Sequence, residues 1–576
     1  MVFRPWEKAT FDQAAAEKRL LLVTVVTEWC HWCHVMDEKT WGDPAIAALV
    51  AKRFVVVRVD ADARPDVAER YADWGWPALA LLTPDAQPVT EWKGYQEPRR
   101  FEAELVAYVK ALDADGVLSR KIVLAERRTD EGASAPLAHI RDFTRTQLDG
   151  FYDAEEGGWG KPQKYPLWAP VAHALLVSSV DGDATALARA RQTLDGELQL
   201  IDGVDGGMYQ YSLEGVWTAP HYEKLAELNG LALENLADAW GATGDERYLR
   251  GARDLARYAL TVLLRSDGAF FANQDADVGT RGEHEHVLGK DYYARSAPER
   301  RKLGTPFVDR HVYASHNGRL VAGLARLAAL SADPVLAAAA VRAVDVILSH
   351  HRVGDGFRHD EESSAVNDDV VLYLADQVAM GRALLMVNEL TGLPRYRVEA
   401  GKTARFLVEH LQDAQRGGFY AHTATSDDVG VFAERRKPFQ LNGEAARLLI
   451  KIGRLEQDGT LVSVGERALQ AFADEGVIGA QYRTVGEVLL ALEEDLHEPV
   501  RFSVVGGDDD ATRALLAAAV KFWAPHRLID VQAPGKKYPD QGEPALYICT
   551  STSCSPPITD PALVASKAAR SLKRKS

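Results

Sequence analysis

With 576 residues, 47% of them apolar, and a net charge of −16, the chain has the composition of a globular protein large enough for several domains. The negative balance excludes a nucleic-acid partner, whose phosphates it would repel, and no apolar run reaches the roughly 20 residues of a membrane helix. Only four cysteines in so long a chain fit a reducing compartment, so the expected location is the cytoplasm.

The first strong signal is Cys30-His31-Trp32-Cys33-His34, where the apolar run Leu20–Val26 gives way to a helix. A strand that delivers a cysteine to a helix N-terminus places it beside unpaired backbone N–H groups, which favour thiolate. Cys30 is therefore the candidate nucleophile and Cys33 the resolving thiol. His31 and His34 add titratable groups beside the pair. Three other readings use the same residues: a c-type haem attachment, a zinc site on Cys30, Cys33, His31 and His34, and a pair with no chemistry. Haem attachment belongs to exported chains, and Met1–Thr10 carries charges and a proline where a leader would be apolar. No cofactor and no metal is expected.

Further along, Ala45–Arg53 reads as a short helix and Phe54–Asp60 as an apolar strand. Trp74-Gly75-Trp76-Pro77 leads into a third strand at Ala78–Thr83. Pro77 opens that strand after an aromatic residue, a setting suited to a cis bond. Pro84–Gln87 is a hairpin turn and Pro98–Leu112 a closing helix, with a polar connector following over 113–134. From 136 to 496 the pattern turns helical in twelve stretches: 136–148, 167–180, 184–200, 221–242, 245–264, 316–331, 334–350, 370–391, 395–411, 442–455, 461–474 and 480–495. A glycine-then-aromatic signature recurs between them, as in Gly157-Gly158-Trp159, Gly206-Gly207-Met208-Tyr209 and Gly417-Gly418-Phe419-Tyr420. Twelve helices with a repeated turn predict six hairpins arranged as a ring. From Arg501 onward, strands at Phe502–Val505, Arg527–Val531 and Ala545–Cys549 with helices at Asp510–Trp523 and Pro561–Leu572 predict a small α/β lobe. Cys549 and Cys554 in it are either a second dithiol or buried structural residues.

Trp29-Cys30-His31-Trp32-Cys33-His34-Val35-Met36, Gly75-Trp76-Pro77, Lys164-Tyr165-Pro166, Pro220-His221-Tyr222-Glu223-Lys224, Asp275-Ala276-Asp277, Asn317-Gly318 and Cys549 with Cys554 occur in the order seen in the spermatogenesis-associated thioredoxin-like family, which the chain resembles along nearly its whole length. The resemblance implies a multidomain α/β plus all-α chain: a thioredoxin-like domain over 1–115, an (α/α)6 six-hairpin glycosidase-like toroid over 136–498, and a C-terminal α/β lobe over 499–576. It also implies, beside Cys30, Cys33, His31, His34 and Pro77 as catalytic groups, a toroid funnel that binds substrate. Its candidate lining is His221, Glu223, Lys224, Asp275, Asp277, Asn317 and Asp376, with Trp159, Tyr209 and Trp217 as aromatic walls.

Two departures from the family pattern weigh against hydrolysis. Leu228 and Ser315 stand where relatives carry acids, unless Glu227 or His316 substitutes. Ordinary thioredoxins hold a buried aspartate at the strand position occupied here by Thr24. The expected activity is thiol–disulfide exchange on a protein or small-molecule disulfide, with carbohydrate as a further candidate ligand of the toroid. The alternative is a carbohydrate-active enzyme or sugar-binding protein with a structural thioredoxin-like domain. A redox relay from Cys30 to Cys549 or Cys554 is expected only if the two pairs face one another.

Overall fold

The computed structural model describes residues 2–71, 75–115, 135–279, 286–361, 370–425 and 428–573. Most of the polar connector expected over 113–134 lies outside them, as does Trp74.

The N-terminal unit is a four-stranded sheet in the order β2 (Phe54–Asp60), β1 (Leu20–Val26), β3 (Ala78–Leu82), β4 (Pro88–Lys93). β1 runs parallel to β2 and antiparallel to β3, and β4 returns antiparallel to β3. Every residue of β1 is buried, as a central strand covered on both faces requires, which is why its sequence reads as an unbroken apolar run. The longer helices around the sheet are α1 (Lys8–Glu17), α2 (His31–Met36), α3 (Pro44–Arg53) and α4 (Pro98–Asp115), with a single turn at Pro65–Ala68 after β2.

All twelve expected helices are present: α5 (Leu137–Gly150), α6 (Trp168–Val180), α7 (Ala184–Glu197), α8 (Ala226–Thr243), α9 (Glu246–Tyr258), α10 (Ala314–Ser331), α11 (Pro334–His350), α12 (Leu374–Thr391), α13 (Pro394–Phe406), α14 (Phe439–Glu456), α15 (Gly459–Gln470) and α16 (Gly486–Leu496). α6, α8, α10, α12, α14 and α16 each pack on the next, and α16 closes onto α6. The other six pack outside that inner ring, each chiefly against one of its members. A closed inner ring inside an outer one is the (α/α)6 toroid. The fourth stretch begins later than its periodicity suggests, because Pro220-His221 pairs as a short strand with Tyr211-Ser212 before the helix starts.

The recurring turn has a definite mechanism. In three hairpins an aspartate is followed four residues later by two glycines (Asp153 to Gly157-Gly158, Asp202 to Gly206-Gly207, Asp413 to Gly417-Gly418), and its backbone is bonded to both. All six glycines have φ between +74° and +83°, which a side chain would strain. A lysine then locks each turn, buried in the first two and half-buried in the third: Lys164 on Asp153 and the Gly157 carbonyl, Lys224 on Asp202 and the Gly206 carbonyl, Lys437 on Asp413 and the Gly417 carbonyl.

A second lock ties four of the hairpin turns to the ring, though not the Asp153 turn, where the Gly158 N–H donates to the Thr193 hydroxyl instead. The fourth residue of an inner helix is an amide that both accepts from and donates to the backbone of one turn residue: Asn229 with Met208, Asn317 with Phe270, Gln377 with Phe357 and Asn442 with Phe419. Replacing Asn442 by alanine strands the buried N–H and C=O of Phe419. The expected loss is about 2–4 kcal/mol in chemical denaturation, and an unchanged midpoint would show that the lock adds nothing.

The C-terminal sheet has the order β6 (Arg527–Gln532), β5 (Val500–Val505), β7 (Ala545–Cys549), flanked by α17 (Asp510–Lys521) and α18 (Val564–Lys573). It sits on the C-terminal ends of the inner helices: Trp523 bonds Asp238 and packs on Gly241 of α8, Leu516 and Val531 reach Gly392 behind α12, and Arg501 bonds the Arg454 carbonyl of α14. No helix among the described residues is long and apolar enough to cross a membrane.

Candidate functional site

The thioredoxin-like unit sits on the opposite end of the ring, where the inner helices begin. Its contacts are with residues at or just before those N-termini. Asp62 accepts from Asn273 and gives its carbonyl to His359, Asp66 accepts from Tyr373, and Arg70 donates to the carbonyls of Val431 and Glu434. Phe432 inserts into the hydrophobic cluster of Phe11, Val57 and Ala80 and meets the Trp6 ring edge-on at 4.5 Å.

This docking places the cysteine motif against the toroid. Cys30 is the N-cap of α2, its sulfur accepting from the Cys33 N–H at 3.1 Å, and the two cysteines are paired as a disulfide. Cys30 is 5% exposed and Cys33 1%, packed with Val26, Trp29, Trp76 and the toroid residue Leu225. Trp32 alone in the motif projects outward, 43% exposed, beside Tyr95. Trp76–Pro77 is a cis bond at this wall.

The candidate funnel acids turn out to face the dithiol. His31 Nδ1 lies 3.0 Å from Asp277 Oδ2, and His34 Nδ1 lies 3.5 Å from Asp275 Oδ2. Each cysteine is thus followed by a histidine held by one member of Asp275-Ala276-Asp277. His286 also reaches Asp277, at 3.3 Å, and His221 lies 3.7 Å from the buried Glu223. The two aspartates differ sharply. Burial pushes Asp275 up to about 8, helped by the charges of Asp277 and Glu223. Burial also acts to raise Asp277, but hydrogen bonds from His31 and the Gly289 N–H, with the charges of His31 and His286, outweigh it and hold this carboxyl at about 2.

Of the remaining expected residues, His221 stacks on Tyr211 at 4.4 Å, and Tyr209 packs edge-on against Tyr222 and Tyr293. The others lie in the walls. Lys224 and Asn317 have their polar atoms on turn backbone, as described above. Trp217 is buried, donates to the Glu156 carbonyl and lies over Gly158 and Gly196. Trp159 is buried against Tyr152. Asp376 accepts from the Ser315 N–H and from His359, whose imidazole burial acts to lower but the Asp376 charge and hydrogen bond raise above its ordinary value. His316 is buried and pushed down to about 3, first by burial and then by His359, which leaves it a neutral ring.

Asp62, Trp29, Asn273, His286, His359 and Phe432 form this junction and were not among the expected site residues. Trp29 Nε1 donates to Asp62 Oδ2 at 2.5 Å. Burial, then the charge of Asp60, raises Asp62 to about 7.

Behind the mouth the ring axis is filled. Arg319 of α10 pairs with Glu444 of α14 and with Glu227 of α8, and Arg382 of α12 pairs with Glu234 of α8. α10 and α14 are not ring neighbours, nor are α12 and α8, so these bridges span the bore. A cavity of about 110 Å³ remains among them, bordered by Trp168, Asp238, Arg326 and Arg447. Elsewhere Asp267, His350 and Glu361 bring three ligand atoms within 4.8 Å, but Arg265 already bonds both carboxylates.

Cys549 and Cys554 pair with each other in the C-terminal lobe. Inner helices of 18 residues separate the two ends of the ring by about 27 Å. The two disulfides therefore do not face one another, and the condition for a direct relay is not met.

Residues 1–114 match the family model described as "Thioredox_DsbH: Protein of unknown function, DUF255". This family match is confined to the N-terminal unit. Over a longer stretch the chain is similar to spermatogenesis-associated protein 20 of Homo sapiens, 27% identical over 317 residues that make up 47% of this chain and 38% of the human protein. The Mus musculus protein matches to the same extent. The match thus spans well under half the length of these curated relatives. Among solved structures, a D-mannose isomerase overlaps with a TM-score of 0.46 and 11% identity, covering 62% of this chain and 97% of the isomerase. Cellobiose 2-epimerase from Bacillus thermoamylovorans B4167 overlaps with 0.44 and 10%, covering 58% and 85%. The closed ring of helix contacts, rather than these overlaps, defines the toroid on which the Thioredox_DsbH domain is docked.

Proposed function

We propose that the chain is a thiol–disulfide oxidoreductase whose dithiol works inside a shallow chamber, with the Thioredox_DsbH domain as one wall and the toroid mouth as the other. The observation that carries this reading is the pairing of Cys30-His31-Trp32-Cys33-His34 with Asp275-Ala276-Asp277 across the domain junction. A cysteine capping a helix N-terminus has the donor environment a thiolate needs, and histidines held by carboxylates are suited to proton transfer. Because both sulfurs are almost fully covered, a slim substrate is favoured: a small disulfide or an extended peptide segment entering between the domains. Polar and aromatic groups at the mouth, His221 on Tyr211 and Tyr222 on Tyr293, suit a sugar-bearing substrate. The reducing cytoplasm remains the expected setting.

In the reduced protein, limiting iodoacetamide should label Cys30 before Cys33, and Cys33→Ser should trap a mixed disulfide on Cys30. Preferential labelling of Cys33 would reverse the roles. Turnover of a glutathione-type disulfide that survives Cys30→Ser would rule out the reading.

One observation favours a second reading. Asp275 at about 8 and Asp277 at about 2 are two carboxyls whose environments push them apart, the division that acid/base work on a sugar requires. A sugar isomerase or hydrolase activity that persists in Cys30→Ser and vanishes in Asp277→Asn would favour it over dithiol chemistry.

A further inference from the structure

Opening the Cys30–Cys33 disulfide creates a problem that the Thioredox_DsbH domain does not solve alone. When an external thiolate attacks the Cys30 sulfur, the electron pair of the broken bond stays on Cys33. That sulfur is 1% exposed and packed among apolar groups, so an anion there is costly and bulk water is poorly placed to protonate it. The strand that delivers the motif offers only the buried hydroxyls of Thr24 and Thr27, which are far too weak as acids. The next residue, His34, does have an acid partner, and that partner comes from the toroid.

We propose that Asp275 is the proton store of the dithiol: it gives a proton through His34 to Cys33 when the disulfide opens, and takes it back when the disulfide closes. The inference rests on the dithiol reading above and deepens it. The step balances. A first thiolate RS⁻ forms the mixed disulfide with Cys30 while Cys33 leaves and is protonated, and Asp275 becomes a carboxylate. A second RS⁻ then releases RSSR and leaves Cys30 as thiolate. On reoxidation by a substrate disulfide, Cys33 returns its proton by the same route as its sulfur attacks Cys30. Asp275 is a positioning residue in this scheme, because it acts through His34.

Three features fit Asp275 to the task. It is 5% exposed, so little of it meets bulk water. Asp277 and Glu223 face it from the toroid, and both disfavour its ionised form. From the dithiol helix it is faced by His34, while His31 and His286 are engaged by Asp277 and His221 by Glu223. Its carboxyl, held at about 8, is therefore protonated across the neutral range in the oxidised protein. Asp277 cannot serve, being ionised throughout that range. Asp62 is the competing candidate, but its Oδ2 is engaged by both Trp29 and Asn273.

The test follows reduction of Cys30–Cys33 by 2-mercaptoethanol between pH 6 and 9.5, with rates normalised to thiolate concentration. In the wild type the normalised rate should fall about tenfold as pH rises through 8, because the leaving sulfur loses its proton donor. Asp275→Asn should be flat at the lower level, while Asp277→Asn, which also loses a His–Asp pair, should keep the fall with its midpoint moved to lower pH, because the Asp277 charge no longer opposes ionisation of Asp275. As a measurement free of substitution, time-resolved infrared spectra of the wild type during reduction at about pH 7 should show one protonated carboxyl transiently lost before solvent returns its proton. A wild-type profile retained in Asp275→Asn, a flat wild-type profile, no carboxyl change, or flattening by Asp62→Asn alone would each overturn the proposal. These outcomes are separate from the failure of the oxidoreductase reading, which is decided by the substrate turnover of Cys30→Ser.

Discussion

Phe432→Ala should loosen the Thioredox_DsbH domain from the toroid and uncover the dithiol. The ring of Phe432 is buried in the core of a domain more than 300 residues away in sequence, edge-on to Trp6 and under the Arg70 guanidinium at 4.8 Å. Truncating a buried phenylalanine costs roughly 3–5 kcal/mol. Here that loss falls on an interface, so it appears as an increase in the undocked fraction of roughly a hundredfold or more. Alkylation of Cys30 in the reduced variant should accelerate accordingly, while the toroid keeps its own thermal transition because the locks of Asn229, Asn317, Gln377 and Asn442 are untouched. Unchanged alkylation would mean that the toroid does not gate the sulfurs, and the slim-substrate argument would fall with it.

The effect also shows what local sequence can and cannot carry. Both the helix count and the strand that leads into Cys30 were legible, since each follows from periodicity within a dozen or so residues. Asp275 and Asp277 were legible as acids at the toroid mouth. Their partners were not, because His31 and His34 lie some 240 residues upstream and nothing in the spacing of either segment points to the other. The same distance hid Phe432, His359 and Asn273. Lys224 and Asn317 illustrate a different difficulty. A lysine and an asparagine next to a candidate site look like ligands, yet each recurs at the same position in sister hairpins, as Lys164 and Lys437 or as Asn229 and Asn442. That repetition was present in the sequence and distinguishes a scaffold device, needed in every hairpin, from a site residue needed once. Asp275 and Asp277, by contrast, have no counterpart among the three Asp-to-Gly-Gly turns.

The second large effect concerns a carboxyl that takes no part in the mouth. Glu197 ends α7 fully buried, with Oε1 lacking a hydrogen-bond partner, and burial raises it to about 8 from an ordinary 4.5. A carboxyl raised on folding binds its proton more tightly in the native state than in the unfolded chain. Its contribution is therefore intact below about pH 4.5, is lost progressively as pH rises to about 8, and is constant above that. At 1.36 kcal/mol per unit the loss is on the order of 3–5 kcal/mol. Glu197→Gln cannot ionise and keeps the shape of the protonated acid. It should match the wild type near pH 4.5 and exceed it by that amount at pH 9, measured by urea denaturation at both values. Comparing variant with wild type at each pH cancels the other raised carboxyls, Asp62 and Asp275 among them, whose titration is common to both. If the difference between the two proteins were the same at pH 4.5 and pH 9, Glu197 would be ionising in the folded chain at its ordinary value, and some route for water to its carboxyl would have to exist.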